Sequence, residues 1–503
     1  MANISEGLLD FKRFERKLFE TMCRAACEEI RQFLAWVDLS IKGMRDTEEF
    51  RLIGNRETTV KTIFGEVRFS RGYYKQRTGG YTFLLDRVLG IFSDCGLVSA
   101  NLAEQIVIEC SEKSFRKATD SICNFTGQTI SAMGAWNVVQ QYGEAIEQQE
   151  ARLKELNDGD SVGHLGNIST PVLFVEHDDV WVRRQKETRR AKGDTAVLDV
   201  PEKKIGMKPM HMGIAYTGWT QSNDGSFNTV NKIAYASFGS SSDFVSSFET
   251  LLRHRYDMDG IEQRITNGDG EQWIRTAAEI NDSILQLDPY HRGKAIIKAV
   301  RDKEDRKLLF DAIGEKDVDK VLDITYGLIS KEHDESKRKA LNNLYVYFSN
   351  NRDIFLSVQE RGIELPEAPE GITYRNMGVM EPNNCSLITQ RMKHRKGSWS
   401  EKGADHMGKI LCFRNTIGLD AILGVLPEIS TATAWVEPLS AAQTPKHDGK
   451  GYGADWLYAQ MPFEQAFRTN GREAIRNMFR MRSLTELPFI PAPGVNKSCF
   501  VSQ

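Results

Sequence analysis

Asp178 stands in Pro171-Val-Leu-Phe-Val-Glu-His-Asp-Asp-Val-Trp-Val182, a run of strand-forming residues interrupted by acids. With the two-residue side-chain period of a strand, Val172, Phe174, Glu176, Asp178, Val180 and Val182 share one face, and Leu173, Val175, His177, Asp179 and Trp181 the other. Two carboxylates therefore fall on a largely apolar face. A carboxylate buried without a partner is strongly disfavoured or becomes neutral, so this face calls for a cation, a metal or a bend into solvent. A hairpin turning at His177-Asp178-Asp179 would place the same residues in water, and the stretch alone allows either reading.

Two further acids occupy positions suited to chemistry. Gln263-Arg-Ile-Thr-Asn-Gly-Asp269 reads as a short strand ending in a Gly-flanked Asp269, with a helix beginning at Glu271. The carboxyl end of a strand, before a helix, is where α/β sheets bind ligands, and an N-cap role for Asp269 is compatible with that. Glu381 falls in the first turn of a later helix, next to Pro382. A strand acid, a strand-end acid and a helix acid, in that order, is the layout of an RNase H-like nucleotidyltransferase core. There, carboxylates from different elements hold two metal ions about 4 Å apart for in-line attack at a phosphodiester. Hard oxygen ligands suit Mg²⁺ or Mn²⁺.

The elements that must position these acids belong to a chain of 503 residues, 40% hydrophobic and 27% charged, with a net charge of −3. That composition fits a folded protein of several domains rather than a disordered one, and the net charge by itself says nothing about a partner. Basic blocks at Arg183 to Lys192 and Arg391 to Lys396 closely follow acidic positions, as a metal-dependent site acting on phosphates would require. The eight cysteines match no zinc-finger spacing and read as reduced thiols, so a cytoplasmic, nucleoid-associated location is expected. Neither a signal peptide nor an apolar run long enough for a membrane span is present, and no membrane partner is expected.

In chain order, residues 1–160 read as a mainly helical N-terminal DNA-binding region. Ile4 to Met44 has apolar positions at helical spacing, predicting one long helix or a helical hairpin. Thr59 to Tyr74 predicts a small β-hairpin made basic by Arg68 and Arg71, with Tyr73 and Tyr74 interleaved for nucleic-acid contact or for cross-strand packing. Ser111 to Asn124 and Thr129 to Tyr142 predict two helices spaced as in a helix-turn-helix. A polar linker over 156–170 sets the boundary. Residues 168–292 form the first part of a mixed α/β core, 293–370 a charge-rich helical insertion, 371–425 the last part of the core with the third acid, and 426–503 C-terminal helices and a tail.

The chain resembles bacterial insertion-sequence transposases of the DDE type, specifically the ISLre-two family, formerly an uncharacterised protein family, within the Mutator-like group. The resemblance rests on the order and spacing of Phe64-Gly-Glu-Val-Arg-Phe-Ser-Arg-Gly-Tyr-Tyr74, Leu84-Leu-Asp-Arg-Val-Leu-Gly90, Val175-Glu-His-Asp178, Gly268-Asp-Gly-Glu-Gln-Trp-Ile274, Asp288-Pro-Tyr-His291 and Arg391 to Ala404. It implies a catalytic and metal-binding triad of Asp178, Asp269 and Glu381, with Glu401 as the alternative third acid, and His291 near the DNA strand being cut. His177, Met380 and Pro382 stand where family members tend to have small residues.

The expected activity is Mg²⁺-dependent DNA cleavage and strand transfer on two metal ions. Arg183, Arg184, Lys393 and Arg395 would hold phosphates, and the N-terminal region would bind terminal inverted repeats. A homodimer or larger assembly on DNA is expected, since two element ends must be held at once. The alternatives are an RNase H-fold nuclease or resolvase that cuts without joining, and a catalytically inactive DNA-binding protein derived from a transposase.

Overall fold

The computed structural model describes residues 4–89, 98–158, 166–185, 206–394 and 397–418. It divides into two compact units, one within Met1–Val138 and one within Val139–Gly424. In the first, the apolar spacing gives a single helix, α1 (Ile4–Met44), whose Leu34, Val37 and Ile41 are buried against a hairpin. The hairpin strands β1 (Phe50–Thr62) and β2 (Gly65–Gln76) pair antiparallel and are longer than the sequence predicts. A two-residue strand, β3 (Tyr81–Thr82), and helix α2 (Leu84–Leu89) follow.

Arg71 corrects the expectation of a DNA contact. It shares a strand face with Val67 and Phe69, is 7% exposed, pairs with Asp86, and lies over the Phe83 ring. Arg68, one position out of phase, is exposed as expected. The two predicted helices form on either side of Gly127, but with other bounds. Helices α3 (Ala100–Glu112) and α4 (Phe115–Thr126) precede α5 (Ala132–Asp158), which has 27 residues and no break near Tyr142. The stretch after Tyr142 is rich in Glu, Gln, Ala and Leu, which favour helix continuation over a short recognition helix. The division between the two units falls inside this helix, and residues 159–165 of the expected linker and all of 426–503 lie outside the described residues.

The second unit is built on a five-stranded mixed sheet. Its strands are β4 (Val172–Arg183), β5 (Met207–Tyr216), β8 (Ile233–Ser237), β9 (Gln263–Gly268) and β10 (Ile284–Leu287), with a separate hairpin of β6 (Trp219–Gln221) and β7 (Phe227–Thr229) between β5 and β8. Spatial order is β10-β9-β4-β5-β8: β4, β5 and β8 run antiparallel, while β9 and β10 lie parallel to β4 on its other side. β4 is continuous through His177-Asp178-Asp179, with Asp178 opposite Met212 on β5, so no turn forms there.

Helices α6 (Ser241–Arg255) and α7 (Gln272–Ile280) cover the face on which His177 packs against Phe244, Phe248 and Trp273. Burial among these rings pushes the His177 pKa down to about 3 and keeps the imidazole neutral. After β10 come α8 (Pro289–Ala299), α9 (Lys303–Gly314), α10 (Val318–Lys331) and α11 (Glu335–Asn350), an all-helical segment with its own core around Leu309, Val321, Leu344 and Phe348. The chain then returns to the opposite face of the sheet. There Met380–Asn383, a π-helical Asn384–Thr389 and Gln390–Met392 run on as one helix, α12, and α13 (Glu401–Arg414) packs on β8. Among the described residues no helix is long and apolar enough to cross a membrane.

Candidate metal centre

Asp178 lies midway along β4 on the face toward α12, and is largely buried. Asp269 directly follows β9 in a turn that only glycines allow. A Cβ on Gly268 would lie 2.8 Å from Ile274 Cγ2, and one on Gly270, at φ +91°, would lie 2.1 Å from Asn351 Oδ1. Within this turn Asp269 Oδ1 accepts from the Glu271 amide at 3.0 Å, and Tyr347 donates to the Asp269 carbonyl at 2.9 Å. The N-cap of α7 is Glu271, so Asp269 does not cap that helix.

Asp288 caps α8 by accepting from the Tyr290 amide at 2.9 Å, and its own amide donates to the Gly268 carbonyl at 2.7 Å. This places His291, in the first turn of α8, beside the Asp269 turn. His291 Nε2 lies 3.7 Å from Asp178 Oδ2, and its Nδ1 lies 4.0 Å from Asp269 Oδ2. Glu381, at the start of α12, completes the cluster: Asp178, His291 and Glu381 each offer a ligand atom within 4.8 Å of the others. The structure thus brings Asp178, Asp269, His291 and Glu381 together from four elements. Glu401 is elsewhere, paired with Arg184 at 2.9 Å and with Lys208.

The electrostatics are those of crowded acids. Burial raises the Asp178 pKa to about 6, opposed by His291 and reinforced by Asp269 and Glu381. Burial also raises Asp269, opposed by its turn hydrogen bond and by His291, and raises Asp288. Asp178 and Glu381, two acids of mutually unfavourable charge at ligand spacing beside His291, with Asp269 against the other nitrogen of that ring, suit a hard divalent cation, so the residues fit Mg²⁺ or Mn²⁺.

Several contributors escaped the sequence reading. Asn384 donates to Asp178 Oδ2 at 2.6 Å, and Tyr290 donates to Glu381 Oε1 at 3.0 Å. Asp179, on the opposite face, pairs with His211 at 2.6 Å, as their cross-strand register requires. Glu176 is fully buried and accepts from Tyr216, Asn267 and three backbone amides. Of the basic residues, Arg183 and Lys393 are exposed, Arg184 is tied to Glu401, and Arg395 lies outside the described residues.

A mixed sheet carrying an acid-and-histidine cluster midway along one central strand and just past the end of its neighbour defines a candidate metal-binding α/β protein. The profile of an uncharacterised protein family, UPF0236, matches residues 4–421, and the chain belongs to that family. It is similar to a UPF0236 protein of Caldanaerobacter subterraneus subsp. tengcongensis, 22% identical over 422 residues, covering 83% of this chain and 79% of that protein. It is also similar to the UPF0236 protein in the vanSb 3′ region of Streptococcus gallolyticus, 24% identical over 372 residues, covering 71% and 72%. Solved structures give fainter likenesses. The Drosophila P element transposase strand transfer complex is 10% identical with a TM-score of 0.19, covering 71% of this chain and 89% of that one. A pre-cleavage Mos1 transpososome is 10% identical with a TM-score of 0.13, covering 51% and 78%. At these TM-scores the two structures carry no weight for fold or function.

Proposed function

We propose that this chain is a DDE-type transposase that cleaves DNA at the ends of an insertion sequence and joins them to target DNA. The observation that carries the reading is the convergence of Asp178, Asp269 and Glu381, from three distant parts of the sequence, around His291. The sheet supports it too: numbered along the chain, its five strands lie in the order 3-2-1-4-5, the first three antiparallel and the last two parallel to the first. That is the order expected of an RNase H-like core, with the first acid on the central strand and a helical segment before the third.

Asp178, Asp269 and Glu381 would hold two Mg²⁺ or Mn²⁺ ions, which when bound supply Lewis-acid activation and offset charge at the phosphodiester. Asn384 orients the Asp178 carboxylate and Tyr290 that of Glu381. In the first step a water oxygen bonds to phosphorus as the P–O3′ bond breaks, leaving a 3′-hydroxyl and a 5′-phosphate. In the second, that 3′-hydroxyl bonds to a target phosphorus as a target P–O3′ bond breaks, with no covalent protein intermediate. Arg183, Lys393 and Arg68 are exposed cations available for backbone phosphates. Assembly of two or more copies on paired DNA ends is part of the proposal.

The test uses purified full-length chain, Mg²⁺ and linear DNA carrying the repeats that flank its gene. Cleavage followed by joined product is expected, with Asp178→Asn, Asp269→Asn and Glu381→Gln each losing at least about 10²-fold in rate, the scale of several kcal/mol. Cleavage without joined product would leave a nuclease. DNA binding without cleavage would leave a binding protein. A complex of one copy per DNA end pair in sizing experiments would remove the assembly.

A further inference from the structure

Glu176 is the one acid of the β4 face that the proposed chemistry leaves unused. It is fully buried, two residues before Asp178 on the same strand. Its Oε1 accepts from the amides of Gly378 and Val379, each at 3.1 Å, and from the Tyr216 hydroxyl at 2.6 Å. Its Oε2 accepts from the Met380 amide at 3.0 Å and from Asn267 Nδ2 at 3.2 Å. Both oxygens are occupied, and the donors come from three separate elements. Asn267 is the residue two before Asp269 at the end of β9, and Met380 is the residue immediately before Glu381.

We infer that Glu176 is a positioning residue that fixes the spacing of all three acids by clamping the amino end of α12 and the end of β9 to the strand that carries Asp178. The three amides at the start of α12 have no partner within the helix, and a carboxylate is the group best suited to gather them. Beside that clamp, the 13-residue α12 is tied to β4 through Asn384, which donates to Asp178 Oδ2 at 2.6 Å. A buried five-donor carboxylate serves this purpose better than an apolar residue of the same size, because it sets distances and directions at once. The chain of contacts continues outward: Gln286 donates to Asn267 Oδ1 at 3.0 Å and accepts from the Val358 amide at 2.9 Å, tying β10 and the return segment into the same frame.

This inference rests on the reading of Asp178, Asp269 and Glu381 as ligands, and its test separates the two. Mn²⁺ dissociation constants are measured by electron paramagnetic resonance on the DNA-free full-length chain, with Asp178→Asn as the reference for a lost ligand. Glu176→Gln keeps shape but replaces an acceptor with a donor facing backbone N–H, and is expected to weaken Mn²⁺ binding by about 10–100-fold. Excess Mn²⁺ is expected to restore cleavage. Tyr216→Phe deletes the one hydroxyl donor to Glu176 and keeps the ring and the three backbone amides in place. It is expected to weaken binding in the same direction by less.

Variants that melt earlier but hold Mn²⁺ with wild-type affinity would make Glu176 merely structural and overturn the inference, as would a wild-type chain that binds no Mn²⁺. A wild-type chain that binds Mn²⁺ but cleaves no DNA, with both variants weakened, would overturn the transposase reading and support the positioning role.

Discussion

His291 Nε2 lies 3.7 Å from Asp178 Oδ2. The same ring approaches Asp269 with its other nitrogen, so one imidazole stands between the two acids that the sequence places on different strands. It lowers both carboxyl pKa values, but burial outweighs it at each, and both acids remain above their ordinary range. The cluster therefore opposes its own ionisation in the metal-free chain.

That cost is measurable. The Asp178 pKa is raised to about 6 in the folded chain, against about 3.9 unfolded. A raised folded pKa means a contribution that is fully present below the unfolded value and is lost as pH rises through the folded one. At pH 8 the ionised Asp178 should thus destabilise the metal-free protein by up to about 3 kcal/mol. Asp178→Asn should be the more stable protein in urea at pH 8, with the difference closing toward pH 4, and Mn²⁺ should stabilise the wild type far more than the variant. An Asp178→Asn chain no more stable than wild type at pH 8 would contradict this.

Glu381 and Glu401 should separate cleanly. Glu381 faces Asp178 and His291, whereas Glu401 is spent on Arg184 and Lys208 at a partly exposed site. Glu381→Gln should abolish metal-dependent cleavage, and Glu401→Gln should leave it within about threefold, with a stability change within about 1 kcal/mol as for other partly exposed pairs. Loss of cleavage in Glu401→Gln with retention in Glu381→Gln would reverse the assignment of the third acid.

On the hairpin, two arginines three residues apart should behave as opposites. Arg71 is buried against Asp86 and Phe83, and burial lowers its pKa to about 10. Arg71→Ala should destabilise the first unit by about 3–5 kcal/mol, because it leaves Asp86 without its partner. Arg68→Ala should leave the melting temperature unchanged and weaken DNA binding, with a shallower salt dependence. Equal effects on stability would contradict the burial difference.

Much of this was legible in the sequence where short-range rules apply. The acid-bearing strand, the Gly-flanked Asp269, the start of α12 and the all-helical segment each follow from local pattern. What escaped depends on partners far along the chain: Glu176 appears as a misplaced acid until the amides two hundred residues later are beside it, and Asn384 and Tyr290 carry no local signal of touching an acid. The burial of Arg71 follows from its strand phase with Val67 and Phe69, which puts all three on the buried side. His177 is where a small residue was expected because three aromatic rings of α6 and α7 enclose it, a cavity only the folded layers create. The second helix of the expected pair, α5, runs past Tyr142 to Asp158, since a Gly and a few polar residues mark a turn but say nothing of how far the next helix runs.

The Asp269 turn gives a last test, since it couples the acid to the helical segment. Gly270 adopts φ +91° and approaches Asn351, whose Oδ1 also accepts from Arg275 at 2.8 Å and whose amide nitrogen donates to the Tyr347 carbonyl at 2.8 Å. A methyl group at position 270 would meet Asn351 and impose a strained backbone, each costing on the order of 1–3 kcal/mol. Relief of the clash requires Asn351 or the turn to move, and moving the turn moves Asp269 away from His291. Gly270→Ala should therefore lower stability by about 2–4 kcal/mol and also lower cleavage per folded molecule. Gly293→Ala, inside α8 and with its nearest neighbour Phe310 at 3.8 Å, should instead be neutral or stabilising by about 0.5–1 kcal/mol with cleavage intact. Urea denaturation and single-turnover cleavage of both variants decide the point: equal cleavage per folded molecule in the two would mean that the turn does not hold Asp269 in register.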